Sequence, residues 1–200
     1  RHVSADLHAG RHLSRFGEWE ITDPAQPCGL GWHFEQATLR NPDGTALLYA
    51  DRVLSYREAN GRANRIAHFL QAQGVRKGDV VAMFIENRPE LLLNVLAVAK
   101  LGGICAMVNT SQTHGTLVHS LNLVNPVAIV VGSELVASFE AVRDQVAIPA
   151  ERTWFVADQQ ASEVPAGYTD LMAASAECPA ENPASTAQIF FNDPCLYTYT

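Results

Sequence analysis

Val80-Val81-Ala82-Met83-Phe84-Ile85 is the stretch that decides the fold. All six side chains are apolar and no polar residue alternates among them, so neither face of the segment is built to meet water. A strand of this kind belongs inside a parallel sheet whose two faces are both covered by helices. The turn Lys77-Gly78-Asp79 leads into it. After it, Asn87 is expected to cap a helix running through Leu101, with Glu90 three residues on and Pro89 in the first turn. Gly102-Gly103 stops that helix, and Ile104 to Val108 repeats the buried-strand pattern.

Working back from this segment, Ser55 and Glu58 have the spacing of a capping box. Tyr56, Ala59, Ala63, Ile66, Ala67 and Leu70 then recur at helical spacing, and Gly74 occupies the left-handed stop. Upstream, Thr45 to Tyr49 and Arg52 to Leu54 read as two short strands joined at Ala50-Asp51, after a turn at Asn41-Pro42-Asp43-Gly44. A short helix is expected around Trp32-His33-Phe34, with Phe34, Ala37 and Leu39 partly covered. Residues 1–30 have no sustained period and are broken by Pro24, Pro27 and Gly29, so they read as an irregular arm.

Working forward, a helix over His114 to Leu123 turns Leu117, Val118 and Leu121 inward and stops at Asn125-Pro126. Val127 to Val131 is a third buried strand. Gly132-Ser133 then opens a helix from Glu134 to about Gln145, and Thr153 to Ala157 is a further strand. A short helix over Thr169 to Ala174 and a Pro/Glu/Ala-rich connector reach about Thr186, leaving 187–200 to pair elsewhere in the sheet. Strand and helix alternate repeatedly, which predicts βαβ crossovers. The expected fold class is α/β, a mainly parallel sheet with helices on both faces.

Two hundred residues suffice for a core that buries roughly 70% of the unfolded surface. A net charge of −7 argues against a nucleic-acid partner, which needs clustered Lys and Arg. Cys28, Cys105, Cys178 and Cys195 lack the paired spacing of a zinc site or disulfide framework and read as reduced cytosolic thiols. The N-terminal stretch has no apolar core of a signal peptide. Leu91 to Val108 is apolar enough to resemble a membrane span, but Lys100 and Gly102-Gly103 divide it into a helix and a strand, each too short to cross a bilayer.

No complete catalytic set stands out. Gly102-Gly103 lies between a helix and a strand, the wrong order for a dinucleotide phosphate turn. His2, His8 and His12 fix no metal geometry in an irregular arm, and His114 and His119 are five apart, so a helix does not align them. Glu86-Asn87-Arg88 and Asn109-Thr110-Ser111 each follow a buried strand, where open α/β sheets bind ligands. They read either as helix caps or as the rim of a cleft. Tyr197, Thr198, Tyr199 and Thr200 alternate aromatic and hydroxyl side chains, the pattern of a half-buried strand.

Several segments, in order, resemble the adenylate-forming acyl-CoA synthetases, in their fatty-acid-transport-protein (very-long-chain acyl-CoA synthetase) branch. They are Leu54-Ser55-Tyr56-Arg57-Glu58-Ala59, Gly74-Val75-Arg76-Lys77-Gly78-Asp79-Val80-Val81, Glu86-Asn87-Arg88-Pro89-Glu90 and Ala99-Lys100-Leu101-Gly102-Gly103. Asn109-Thr110 and Gly132-Ser133-Glu134-Leu135 are similar to that branch in particular. The resemblance implies an ATP-dependent long-chain or very-long-chain fatty acid–CoA ligase, with fatty acid, ATP and CoA as substrates, Mg²⁺ as cofactor, and a link to fatty-acid uptake. It implies a cytoplasmic protein with peripheral membrane association. In the family, a strand ending in Tyr-Thr runs into a Ser/Gly/Thr-rich phosphate loop, and Tyr199-Thr200 resembles that ending.

By the same resemblance, Tyr197, Thr198, Tyr199 and Thr200 are the candidate nucleotide-binding residues, positioning the loop more than touching phosphate. Residues 31–200 would be a partial AMP-binding domain truncated before the loop, completed by a missing C-terminal part and inactive as it stands. A non-catalytic α/β binding module and a ligase for an aryl, amino or short-chain acid are the alternatives. The module requires a sheet with no exposed edge waiting for a partner.

Overall fold

The structure is a computed structural model and describes residues 24–158 and 163–199. Thr200, residues 159–162 and most of the expected arm, including His2, His8 and His12, lie outside the described residues. Helix α1 (Leu30–Arg40) precedes the antiparallel hairpin of β1 (Thr45–Tyr49) and β2 (Arg52–Ser55), which leads into α2 (Tyr56–Ala72). The capping box forms as expected: Ser55 Oγ accepts from the Glu58 N–H at 3.2 Å, and the Ser55 N–H donates to Glu58 Oε2 at 2.9 Å. Such a cap contributes about 1 kcal/mol. Gly74 closes the segment with φ +91°, a conformation that side-chain-bearing residues rarely adopt.

The main sheet follows: β3 (Val80–Phe84), α3 (Pro89–Lys100), β4 (Ile104–Met107), α4 (His114–Val124), β5 (Ala128–Gly132), α5 (Val136–Glu140), β6 (Thr153–Val156), β7 (Thr169–Asp170), α6 (Leu171–Ser175) and β8 (Leu196–Thr198). Its order is β7-β6-β5-β3-β4-β8 and every pairing is parallel. Consecutive residues of β3 enter opposite cores. Val81 and Met83 pack with Val130 and Trp154 under α2, α3 and α6, whereas Ala82 and Phe84 pack with Ile129 and Val131 under Leu117 and Leu121 of α4 and Phe139 of α5. Burying each such side chain is worth about 1.5–3 kcal/mol. The unalternating apolar run is thus explained by two covered faces, and the α/β expectation holds.

Several local expectations are corrected. Asn87 does not cap α3; Arg88 sits at the N-cap position and makes no capping bond. The helix expected over Glu134–Gln145 breaks into a 3₁₀ turn (Ser133–Leu135), α5 and a second 3₁₀ turn (Arg143–Gln145). The side chains that would open it are engaged elsewhere: Ser133 Oγ accepts from the Asp158 N–H and Glu134 Oε1 from the Glu86 N–H. Leu39, expected to be partly covered, is 72% exposed to solvent among the described residues. Thr169 and Asp170 pair with β6 instead of starting a helix, and the Asp170 carboxylate caps α6 through the Met172 and Ala173 N–H groups. Among the described residues no helix is long and apolar enough to cross a membrane.

Buried polar groups tie the sheet's flanks to the C-terminal third. Asn60 and Asn64 of α2 donate to Asn182 Oδ1, and Asn64 also donates to the Ala180 carbonyl, so the connector is pinned across the helix. Lys100 is fully buried and meets Glu35 of α1 at 2.5 Å. Ser185 and Thr186 donate to the Lys100 carbonyl, bringing the segment before β8 against the end of α3.

Candidate functional site

Tyr197, Thr198 and Tyr199 lie on or directly after β8, an outer strand of the sheet. The register sets Leu196 beside Cys105, Tyr197 beside Ala106 and Thr198 beside Met107. A parallel strand ends where its neighbour ends, so the chain leaves β8 on the carboxyl side of the sheet, beside the loop that begins at Asn109. This is where open α/β sheets place ligands. Leu196, Tyr197 and Thr198 are all exposed, which corrects the half-buried expectation. Among the described residues β8 pairs with β4 alone.

The three side chains differ in what they can do. Tyr199 is partly buried against the α4 core and its hydroxyl donates to the Ser120 carbonyl at 3.1 Å. Burial raises its pKa, so it remains a neutral donor at ordinary pH. Its role is to tie the end of β8 to α4. Tyr197 and Thr198 keep exposed side chains, and with Leu123, Val124 and Val80 the strand borders a shallow depression of about 620 Å³.

The lead-in to β8 is held tightly. Asp193 accepts from Lys77 Nζ at 2.5 Å and from the Phe190 N–H at 2.8 Å, and Lys77 also donates to the Gln188 carbonyl at 2.9 Å. The ammonium lies 5.2 Å from the centre of the Phe190 ring. The Asp193 carboxyl falls below its ordinary value because of Lys77 first and the Phe190 amide second. The Cys105 N–H then donates to the Cys195 carbonyl at 2.9 Å, starting the ladder with β4.

Of the other two sequence candidates, neither supplies a side-chain cap to the helix that follows it. At the boundary between β3 and β5, where the winding reverses, Arg88 turns inward with 5% of its side chain exposed. It donates to the Val156 and Ala157 carbonyls, both at 2.9 Å, and pairs with Glu134 at 3.2 Å and Asp158 at 3.5 Å. Glu134 lies so close to Gly132 that a Cβ there would be 2.2 Å from its Oε1. Arg88 and its two carboxylate partners thus lie together at the switch point. Asn109 accepts from the Ser111 N–H at 2.9 Å in a local turn, and α4 begins at His114 with φ +49° and no side-chain cap at Thr113. His114 and His119 are both exposed.

Sequence reasoning missed the inward turn of Arg88 and the pairings of Lys77 and Lys100. Lys100 carried a signal, because a cation inside an apolar run needs a counter-charge. Nothing local marked Glu35 or Asp193 as the partners. Among the described residues no group of three or more His, Cys, Asp or Glu side chains gathers to hold a metal, and those beside Tyr197–Tyr199 do not by themselves make a Mg²⁺ site.

The family profile described as "AMP-binding enzyme" matches residues 34–200. Medium/long-chain-fatty-acid–CoA ligase FadD6 of Mycobacterium tuberculosis is 32% identical over 180 residues, covering 90% of this chain and 28% of that protein. Long-chain fatty acid transport protein 6 of Mus musculus is 30% identical over 169 residues, covering 84% and 27%. The chain thus spans little more than a quarter of the length of these relatives. The anthranilate CoA ligase AuaEII, solved in complex with anthranoyl-AMP, has the same fold, with a TM-score of 0.80 at 21% identity over 89% of this chain and 33% of that one.

Proposed function

The chain belongs to the AMP-binding enzyme family, and from that premise we propose that the protein containing it is an ATP-dependent ligase for long-chain or very-long-chain fatty acids. The acid's carboxylate attacks the α-phosphorus of ATP and pyrophosphate leaves. The CoA thiol then attacks the acyl carbon and AMP leaves. ATP, CoA and the fatty acid are substrates, and Mg²⁺ accompanies the nucleotide. The supporting observation is the likeness to FadD6 across nine-tenths of the chain.

Within that reading, Tyr197, Thr198, Tyr199 and Thr200 form the nucleotide-binding run, and its work is positional. Charge that shifts during phosphoryl chemistry is best stabilised by donors fixed in advance. β8, tied at its lead-in through Asp193 and at its end through Tyr199, gives such donors a fixed origin. The exposed outer strand also weighs against a self-contained binding module. We place the ligase in the cytoplasm, peripherally associated with membrane, as the fatty acid transport protein relative's name supports.

The test is ATP-dependent acyl-CoA formation by the complete gene product over fatty acids of graded chain length, with aryl and amino acids alongside. Thioester formation from long chains is expected, and none from the 200-residue chain alone. Pyrophosphate release with only an aryl or amino acid would overturn the substrate class. Absence of pyrophosphate release with every acid tried would return the fold to the binding-module alternative.

A further inference from the structure

Lys77 lies in the turn before β3, and its partner Asp193 lies in the segment before β8. Strand β4 separates β3 from β8, so the ion pair bridges two strands that do not touch. The turn carrying Lys77 is itself rigid. The Arg76 N–H donates to Asp79 Oδ2 at 2.8 Å, and the Gly78 N–H to the Gly102 carbonyl at 2.9 Å. A Cβ at Gly102 would come within 2.9 Å of Lys77 Cγ, so the lysine stem runs hard against the end of α3.

Apart from Lys77, the segment is held by the Ser185 and Thr186 hydroxyls on the Lys100 carbonyl and by Tyr199 on Ser120. β8 has three ladder residues on one side and, among the described residues, no strand on the other. In a strand, a slip of one residue sends every side chain to the opposite face. Such a slip would carry Tyr199 away from α4 and displace whatever follows. Lys77 opposes the slip with three contacts on one short segment: Gln188, Phe190 and Asp193.

We propose that Lys77 is a positioning residue for the nucleotide: through Asp193 it fixes the register of β8 and hence the place of Tyr197, Thr198 and Tyr199. The proposal rests on the ligase reading for its effect on ATP, but its structural half stands apart from it. In the complete gene product, Lys77→Met raises the KM for ATP by about fivefold, the scale of a partly exposed ion pair with an added charge-assisted hydrogen bond. The KM for the fatty acid stays within about twofold, whereas kcat falls together with the rise in KM for ATP, because displaced phosphates lose donors aimed at the shifting charge. Asp193→Asn gives the same change and the double variant is no worse, because both remove one interaction. Lys77→Arg restores most of the affinity.

Arg57→Met, which breaks an exposed pair with Asp43 on the hairpin side, is the control for a general loss of stability. Amide hydrogen exchange over residues 196–199 supplies a readout that needs no activity. It accelerates in Lys77→Met and not in Arg57→Met. Unchanged exchange in Lys77→Met would overturn the register role. Equal rises in KM for ATP, CoA and acid would overturn the nucleotide role. A wild-type protein that makes no thioester, with exchange accelerated in Lys77→Met, would sink the ligase reading and leave the register role standing.

Discussion

Lys100 is the residue whose surroundings depart most from its chemistry. Its ammonium is fully buried, its pKa is lowered chiefly by that burial, and Glu35 opposes the shift by hydrogen bonding and charge. Separating such a pair leaves one charge without solvent or partner, a loss of about 3–5 kcal/mol. Glu35→Gln is therefore expected to lower the unfolding free energy by about 3 kcal/mol, read from the urea midpoint at neutral pH. The deficit should shrink as pH rises, because a neutral amine needs no counter-charge. A variant as stable as the wild type would show that Lys100 is already neutral in the folded protein. Gly31 belongs to the same contact, since a Cβ there would meet Lys100 at 2.8 Å.

At the scale of the element, β8 and its lead-in are the part most sensitive to conditions. The Asp193 carboxyl is lowered by Lys77 and by the Phe190 N–H. Its contribution is complete above the ordinary aspartate value of 3.8 and is lost as pH falls through the lowered folded value. Acid should therefore loosen residues 188–195, seen as faster exchange or proteolysis there as pH drops through that window. In Asp193→Asn this pH dependence should disappear. An equal response in the variant would assign it to another carboxylate. The segment's sequence does not advertise this behaviour. Asp193-Pro194 reads locally as a turn, and its partner is 116 residues away in sequence.

For the whole molecule, the element that joins the parts is Arg88. Its guanidinium gathers the carboxyl ends of β3, β5 and β6 into one unit, through two backbone carbonyls and two carboxylates. Arg88→Met would leave the Val156 and Ala157 carbonyls and Glu134 short of donors, and about 3 kcal/mol of stability should be lost. Arg88→Lys should recover little, because a lysine cannot reproduce the planar fork. Comparison of denaturant midpoints tests both, and full recovery in Arg88→Lys would show that charge alone suffices.

The α/β architecture was legible in the residues because its causes are local. Val80 to Ile85 has no alternation, Ser55 and Glu58 cap one another three residues apart, and Gly74 and Gly102 relieve left-handed turns. Membership of the AMP-binding enzyme family was legible as well, through the order of several short segments. Tertiary structure alone decided that β8 stands at the edge of the sheet, that Arg88 faces inward, and that Lys77 and Lys100 find Asp193 and Glu35. Those outcomes depend on which strands become neighbours, and strand order follows from packing helices on both faces of the sheet, not from the periodicity of any one segment.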